Sequence, residues 1–133
     1  PLHDRQEDQR RVTIHDLAGA WSLESWSLEY DDGHHELPLG PEARGMLIYT
    51  PGGQVSATLM RSGEPAASFA YAGRYEVRGG AVHHSIEVAS EPALVGVTTI
   101  RHIARDGDML TLSGPDFRAD SCRRQKIVWR RLP

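Results

Sequence analysis

No part of this chain keeps a helical apolar period for more than about a turn, whereas runs of alternating apolar and polar residues recur throughout, separated by glycine and proline. That pattern restricts the chain to antiparallel β-structure with short connections. The clearest case lies either side of Gly79-Gly80. In residues 69–78, Tyr71, Gly73, Tyr75 and Val77 alternate with Arg74 and Glu76; in residues 81–89, Val82, His84, Ile86 and Val88 alternate with His83, Ser85 and Glu87. A register slip of one residue would turn both sets outward together, so the two faces are assigned as one. The tyrosines and His84 point inward, and His83 points to solvent.

The remaining segments read the same way. Residues 45–50 and 54–60 form a hairpin around Pro51-Gly52-Gly53, with Leu47, Tyr49, Val55, Ala57 and Leu59 on the more apolar face. In residues 95–104 the set Val97, Thr99, Arg101 and Ile103 is favoured inside over Thr98, Ile100 and His102. Asp106-Gly107-Asp108 turns into residues 109–113, residues 114–121 form a loop, and residues 124–131 make the last strand. The first strand starts at Ala20. Trp21, Leu23 and Ser25 share one face, yet Trp26, Leu28 and Tyr30 are apolar on the other. A bulge near Ser25-Trp26 reconciles the two and bends the strand enough to serve both halves of a closed sheet. Ahead of it, Thr13 and Asp16 form a capping box on a single helical turn that Gly19 ends. The sum is an all-β fold, an eight-stranded antiparallel up-and-down β-barrel with a short N-terminal helical turn. Its interior is filled by side chains or holds one small ligand.

At 133 residues this is one domain. Residues 1–12, charged and amide-rich, read as a mobile arm, and residues 13–133 as the barrel. A net charge of -3 argues against nucleic acid or an anionic membrane as partner, and the basic run of residues 123–131 reads as a solvated strand face. The single cysteine, Cys122, and the absence of a signal-peptide or membrane-spanning run point to the cytoplasm. The chain begins at Pro1 without Met, which leaves an upstream segment open. The partner expected is a small hydrophobic or amphipathic ligand, taken by a monomer or a homodimer.

The inward faces supply the candidate ligand contacts: Trp26, Leu47 and Tyr49, then Ala57 and Leu59, then Tyr71, Gly73 and Tyr75, and finally His84, Ile86, Thr99 and Arg101. Tyrosine hydroxyls are the sparse polar groups a small-molecule cavity uses, or else core filler bonded to backbone. Gly73, lacking a side chain in mid-strand, marks the close approach of a ligand or of another backbone. If the protein is an enzyme, the catalytic candidates are His84, as a base or anchor, and Arg101, as a cation for a developing oxyanion. The doublets His34-His35 and His83-His84 cannot chelate with both rings, because neighbours in a strand point to opposite faces. No Cys/His spacing, phosphate-binding glycine loop or serine elbow is present, so neither a metal nor a cofactor is expected. Leu37-Pro38-Leu39-Gly40 cannot be regular strand and reads as cover for an open barrel end.

Gly19-Ala20-Trp21 on the first strand and Trp129-Arg130-Arg131 on the last resemble the lipocalin superfamily, where a basic residue from the last strand lies across a Gly-x-Trp tryptophan. That implies Arg130 or Arg131 over Trp21. A longer likeness to the bacterial and fungal lipocalin-like domain proteins is carried by Leu39-Gly40-Pro41, Leu47-Ile48-Tyr49-Thr50-Pro51, Tyr71-Ala72-Gly73-Arg74-Tyr75 and Asp106-Gly107-Asp108. It implies a calycin-type barrel with a ligand cavity. Some related barrels in specialised metabolism are cofactor-free cyclases or isomerases. Two functions follow: binding of a small hydrophobic molecule, or cofactor-independent cyclisation or isomerisation of a polyketide- or terpenoid-like intermediate.

Overall fold

The structure is a computed structural model and describes residues 12–115 and 123–133. Among them one helical turn, α1 (Ile14–Leu17), precedes nine strands: β1 (Gly19–Tyr30), β2 (His35–Glu36), β3 (Arg44–Tyr49), β4 (Gln54–Met60), β5 (Ser68–Arg78), β6 (Ala81–Ala89), β7 (Thr98–Asp106), β8 (Met109–Pro115) and β9 (Arg123–Arg131). From β3 to β9 each strand pairs antiparallel with the next, and β1 pairs with both β3 and β9. Eight strands thus close into an up-and-down barrel, as alternation predicts. The ninth, β2, lies on the distal part of β1 outside the ring; two residues carry no period by which to be read.

Turn residues explain the connections. Gly79 and Gly80 have φ of +54° and +79°, the pair of left-handed residues that a two-residue hairpin loop matched to strand twist requires. In β7, Thr99, Arg101 and Ile103 are buried while Thr98, Ile100 and His102 are exposed, so the favoured face is the inner one. Arg124, Lys126 and Arg130 of the basic run are exposed.

Two bulges adjust the register. In β1 the partner shifts between Leu23 and Ser25, leaving Glu24 as the extra residue; Trp21 and Leu23 face inward before it, Trp26 and Leu28 after it. The bulge thus falls slightly upstream of the expected Ser25-Trp26, and Ser25 is exposed rather than on the Trp21 face. The second, in β6, is not visible in the alternation. Gly73 pairs with Ile86 and Ala72 with Val88, which leaves Glu87 unpaired. Val82, His84 and Ile86 stay buried, but Val88, expected inside, is 61% exposed.

The end of the barrel under α1 is packed solid. Leu17, Trp21, Tyr49, Val55, Tyr75, Val82, Ile103 and Leu110 belong to one buried cluster. Trp21 Nε1 donates to the Leu17 carbonyl at 2.9 Å. The Arg131 guanidinium lies 4.3 Å from the Trp21 ring centroid and donates to the carbonyls of Asp16 at 2.7 Å and Ala18 at 3.0 Å. Of the two arginines the resemblance allowed, Arg131 therefore covers Trp21, while Arg130 pairs with Glu24 at 2.7 Å on the outside. Thr13 N–H donates to Asp16 Oδ2 at 2.7 Å, and Asp16 N–H to the Thr13 carbonyl at 3.0 Å, which holds the single turn. Val12, the first described residue, packs on the core. The rest of the expected arm, Cys122 and most of the expected 114–121 loop lie outside the described residues; Gly114 and Pro115 belong to β8.

Candidate functional site

The strands run past the packed end to enclose a cavity of about 30 Å³, counted as space open to the centre of a water molecule. Trp26 on β1, Leu47 on β3 and Leu59 on β4 border it on one side, and Tyr71, His84, Ile86, Thr99 and Arg101 on β5 to β7 on the other. The structure thus brings together eight of the twelve residues read from the sequence. The other four do not border this space. Tyr49 and Ala57 are buried in the solid core, and Tyr75 donates its hydroxyl to the Thr50 carbonyl at 2.7 Å. At Gly73 a Cβ would sit 2.0 Å from the Ser85 carbonyl oxygen, so the missing side chain admits the β6 backbone rather than a ligand.

Five bordering residues escaped the sequence reading: Phe69, Leu112, Gln125, Ile127 and Trp129. Phe69 lies two residues before Tyr71 on the same face, so alternation carried that signal. Gln125, Ile127 and Trp129 also follow period two, but the charged neighbours of Gln125 made that end of β9 read as surface.

His84 is 2% exposed and sits between two phenols. Its Nε2 lies 2.6 Å from Tyr49 Oη and its Nδ1 2.9 Å from Tyr71 Oη. Burial, with the positive charge of Arg101 second, pushes its pKa down to about 3, so the ring is neutral near pH 7. Burial also pushes Tyr71 up to about 12, with Arg101 opposing, and holds Tyr49 well above the usual phenol range. Both ring nitrogens of His84 are occupied by hydroxyls, so a bound molecule meets the phenol of Tyr71 rather than an open imidazole nitrogen.

Arg101, 6% exposed, donates from one η nitrogen to the carbonyls of Ile100 at 3.2 Å and Pro115 at 3.1 Å. Trp26 Nε1 donates to Gln125 Oε1 at 3.0 Å. Trp129 Nε1 is buried and has no hydrogen-bond partner among the described residues. Among the described residues no carboxylate borders the cavity, and no group of three or more His, Cys, Asp or Glu is placed to hold a metal ion.

Trp26 and Phe69 stack with centroids 5.8 Å apart and border both the cavity and an outer cleft of about 500 Å³. Pro38 and Leu39 also line that cleft. Leu39 is buried, Leu37 is exposed, and the Pro38 carbonyl accepts from Arg61 at 3.2 Å. Pro38 and Leu39 thus share the outer cleft with the aromatic pair.

The model of a lipocalin-like domain family matches residues 18–70 and 65–132. No curated protein matches the chain. Among solved structures, a lipocalin-like protein from Bacteroides uniformis is similar with a TM-score of 0.53 at 17% identity, covering 88% of this chain and 99% of that one. A redesigned β-barrel reaches a TM-score of 0.55 at 11% identity, covering 91% and 96%. A de novo designed fluorescence-activating β-barrel reaches 0.52 at 15% identity, covering 92% and 100%. At these identities the structural matches speak for the shared barrel alone. The family model spans nearly every strand of it, including Trp21 under Arg131 and the hairpins that carry Tyr71 and His84, and the chain belongs to the lipocalin-like domain family.

Proposed function

We propose that the barrel binds one small, largely hydrophobic molecule, with a polar end in the inner cavity and an apolar body in the cleft above Trp26 and Phe69. One observation carries this reading: a mostly apolar space holds a few buried polar groups, His84 with Tyr71 among them, and shares its aromatic wall with an outer cleft. Few polar groups in an apolar concavity is the usual make-up of a small-molecule site. The inner volume admits only about two water-sized groups. A larger ligand must therefore turn the half-buried Phe69 ring aside, and Phe69 acts as the inner gate. Titration with a neutral naphthalene dye, read through tryptophan fluorescence and native mass spectrometry, should show saturable 1:1 binding. Ile86→Trp, which fills the cavity from its wall, should abolish that binding while leaving the melt cooperative. Binding unaffected by Ile86→Trp would place the dye elsewhere and defeat the reading.

A second reading, a cofactor-independent cyclase or isomerase, is favoured by one observation. Arg101 acts electrostatically on both Tyr71 and His84, so a cation and a phenol O–H face one small space. Such a pair would polarise a single substrate oxygen. In that case Tyr71→Phe and Arg101→Met should lower turnover by ~10²-fold, with substrate affinity changed far less.

A further inference from the structure

Tyr49 is 1% exposed, and its hydroxyl has the His84 Nε2 as its one partner among the described residues. Were Nε2 to carry the imidazole proton, Tyr49 would have to accept it, and its own O–H would be left buried without an acceptor. Leaving a buried donor unmade is costly, whereas an oxygen lone pair left over costs little. Tyr49 therefore donates to Nε2, which must be the unprotonated nitrogen of a neutral ring. The proton lies on Nδ1 and is donated to Tyr71 Oη at 2.9 Å. Having accepted on its oxygen, Tyr71 keeps its own O–H, and Tyr71 borders the cavity. Trp129 Nε1 adds a second donor in the same wall, without a partner among the described residues. Arg101 offers donors alone, and Gln125 has its carbonyl oxygen engaged by Trp26. The described wall thus presents mainly donors to whatever enters.

We propose that the ligand is recognised through a hydrogen-bond-accepting oxygen, a carboxylate or a carbonyl, which takes the Tyr71 hydroxyl proton, and that Tyr49 and His84 are positioning residues aiming that proton into the cavity. This rests on the binding reading above and adds a ligand class to it. A donor-only head such as an ammonium cannot take the Tyr71 hydroxyl proton, is left with the Thr99 hydroxyl and partly engaged oxygens as acceptors, and brings a positive charge beside Arg101. The order of the three groups through the hydrogen bonds, phenol to imidazole to phenol, gives the direction of every proton.

Two measurements test this. With 15N-histidine label, the His84 signals, identified by their loss in His84→Gln, should show a proton-bearing Nδ1 and a bare Nε2 at pH 7; a proton on Nε2 would overturn the proposal. In binding titrations read by tryptophan fluorescence, octanoate and 2-octanone should bind at least about tenfold more tightly than octylammonium, the effect of one hydrogen bond kept or lost. Octanoate ahead of 2-octanone assigns the site to an anionic carboxylate, and the reverse order to a neutral carbonyl. Tyr71→Phe, which keeps the ring, should remove about tenfold of the discrimination, and Tyr49→Phe should reduce it by freeing Nε2, a readout that a purely structural role would not move. Equal binding of all three chains would sink the ligand class and leave the binding reading standing. Failure of all three chains and of the neutral dye would sink both.

Discussion

Trp21 and Trp26 stand on the same strand, five residues apart, and are buried to nearly the same degree, yet they belong to opposite kinds of interior. At the α1 end the indole N–H of Trp21 goes to a backbone carbonyl, and the cation over its ring is held by two more carbonyls. The indole of Trp21 and the guanidinium over it are both satisfied by the main chain, so neither is offered to a ligand. At the mouth end the Trp26 N–H goes to a side chain, His84 to two other side chains, and Trp129 Nε1 to none of the described residues. A barrel of eight strands is wide enough to be filled by large side chains or to hold a small cavity, and here each half takes one of the options. The lesson is that burial alone does not mark a functional residue; what satisfies its polar atoms does.

The largest expected contrast is between ring truncations. Trp21→Ala should cost about 3–5 kcal/mol in denaturant melts, because the fully packed end cannot collapse into the space left behind. Phe69→Ala, at the gate, should cost under about 2 kcal/mol, since Phe69 is only partly buried. Equal losses would erase the distinction between the halves.

Next comes pH. His84 has a folded pKa of about 3 against an ordinary 6.5, so between those values the unfolded chain binds the proton and the folded one does not. Stability from this group is complete above about pH 6.5 and declines as pH falls toward 3, by about 1.4 kcal/mol per unit, or about 2 kcal/mol at pH 5. Comparing wild type with His84→Gln between pH 7 and pH 5 isolates the effect, and the variant should lose less stability over that range. An identical acid profile would mean that His84 is solvated.

Neighbouring arginines on β9 provide the third test. Arg131→Ala removes a cation over Trp21 and two carbonyl contacts, and should cost about 1–2 kcal/mol. Arg130→Ala removes a solvent-exposed pair with Glu24 and should leave the melting midpoint within error of wild type. Smallest in free energy is the response of residues 37–40. Their amide exchange should slow when the neutral dye occupies the cleft beneath Pro38 and Leu39; exchange unchanged at saturation would exclude them from the mouth.

Alternation alone assigned the inward faces of Tyr71, His84, Thr99 and Arg101, because side-chain direction in a strand follows local order and needs no knowledge of partners. It was equally able to show Phe69, and failed at Gln125 only where charge on both sides disguised the period. The Gly-x-Trp pattern located Trp21, but two adjacent arginines could not be told apart until β9 was paired to β1 and their directions set. Val88 and Gly73 show the limit most sharply. The unpaired Glu87 turns Val88 outward and brings the β6 backbone against Gly73, and a bulge is a property of two strands in register, which neither strand's sequence contains. The chain's own order determined the barrel, its inward faces and the residue types available for a site. Only closure of the sheet decided that Tyr49 and Tyr71 would meet one imidazole from two sides, since those contacts join strands 13 and 35 residues apart and depend on tertiary register.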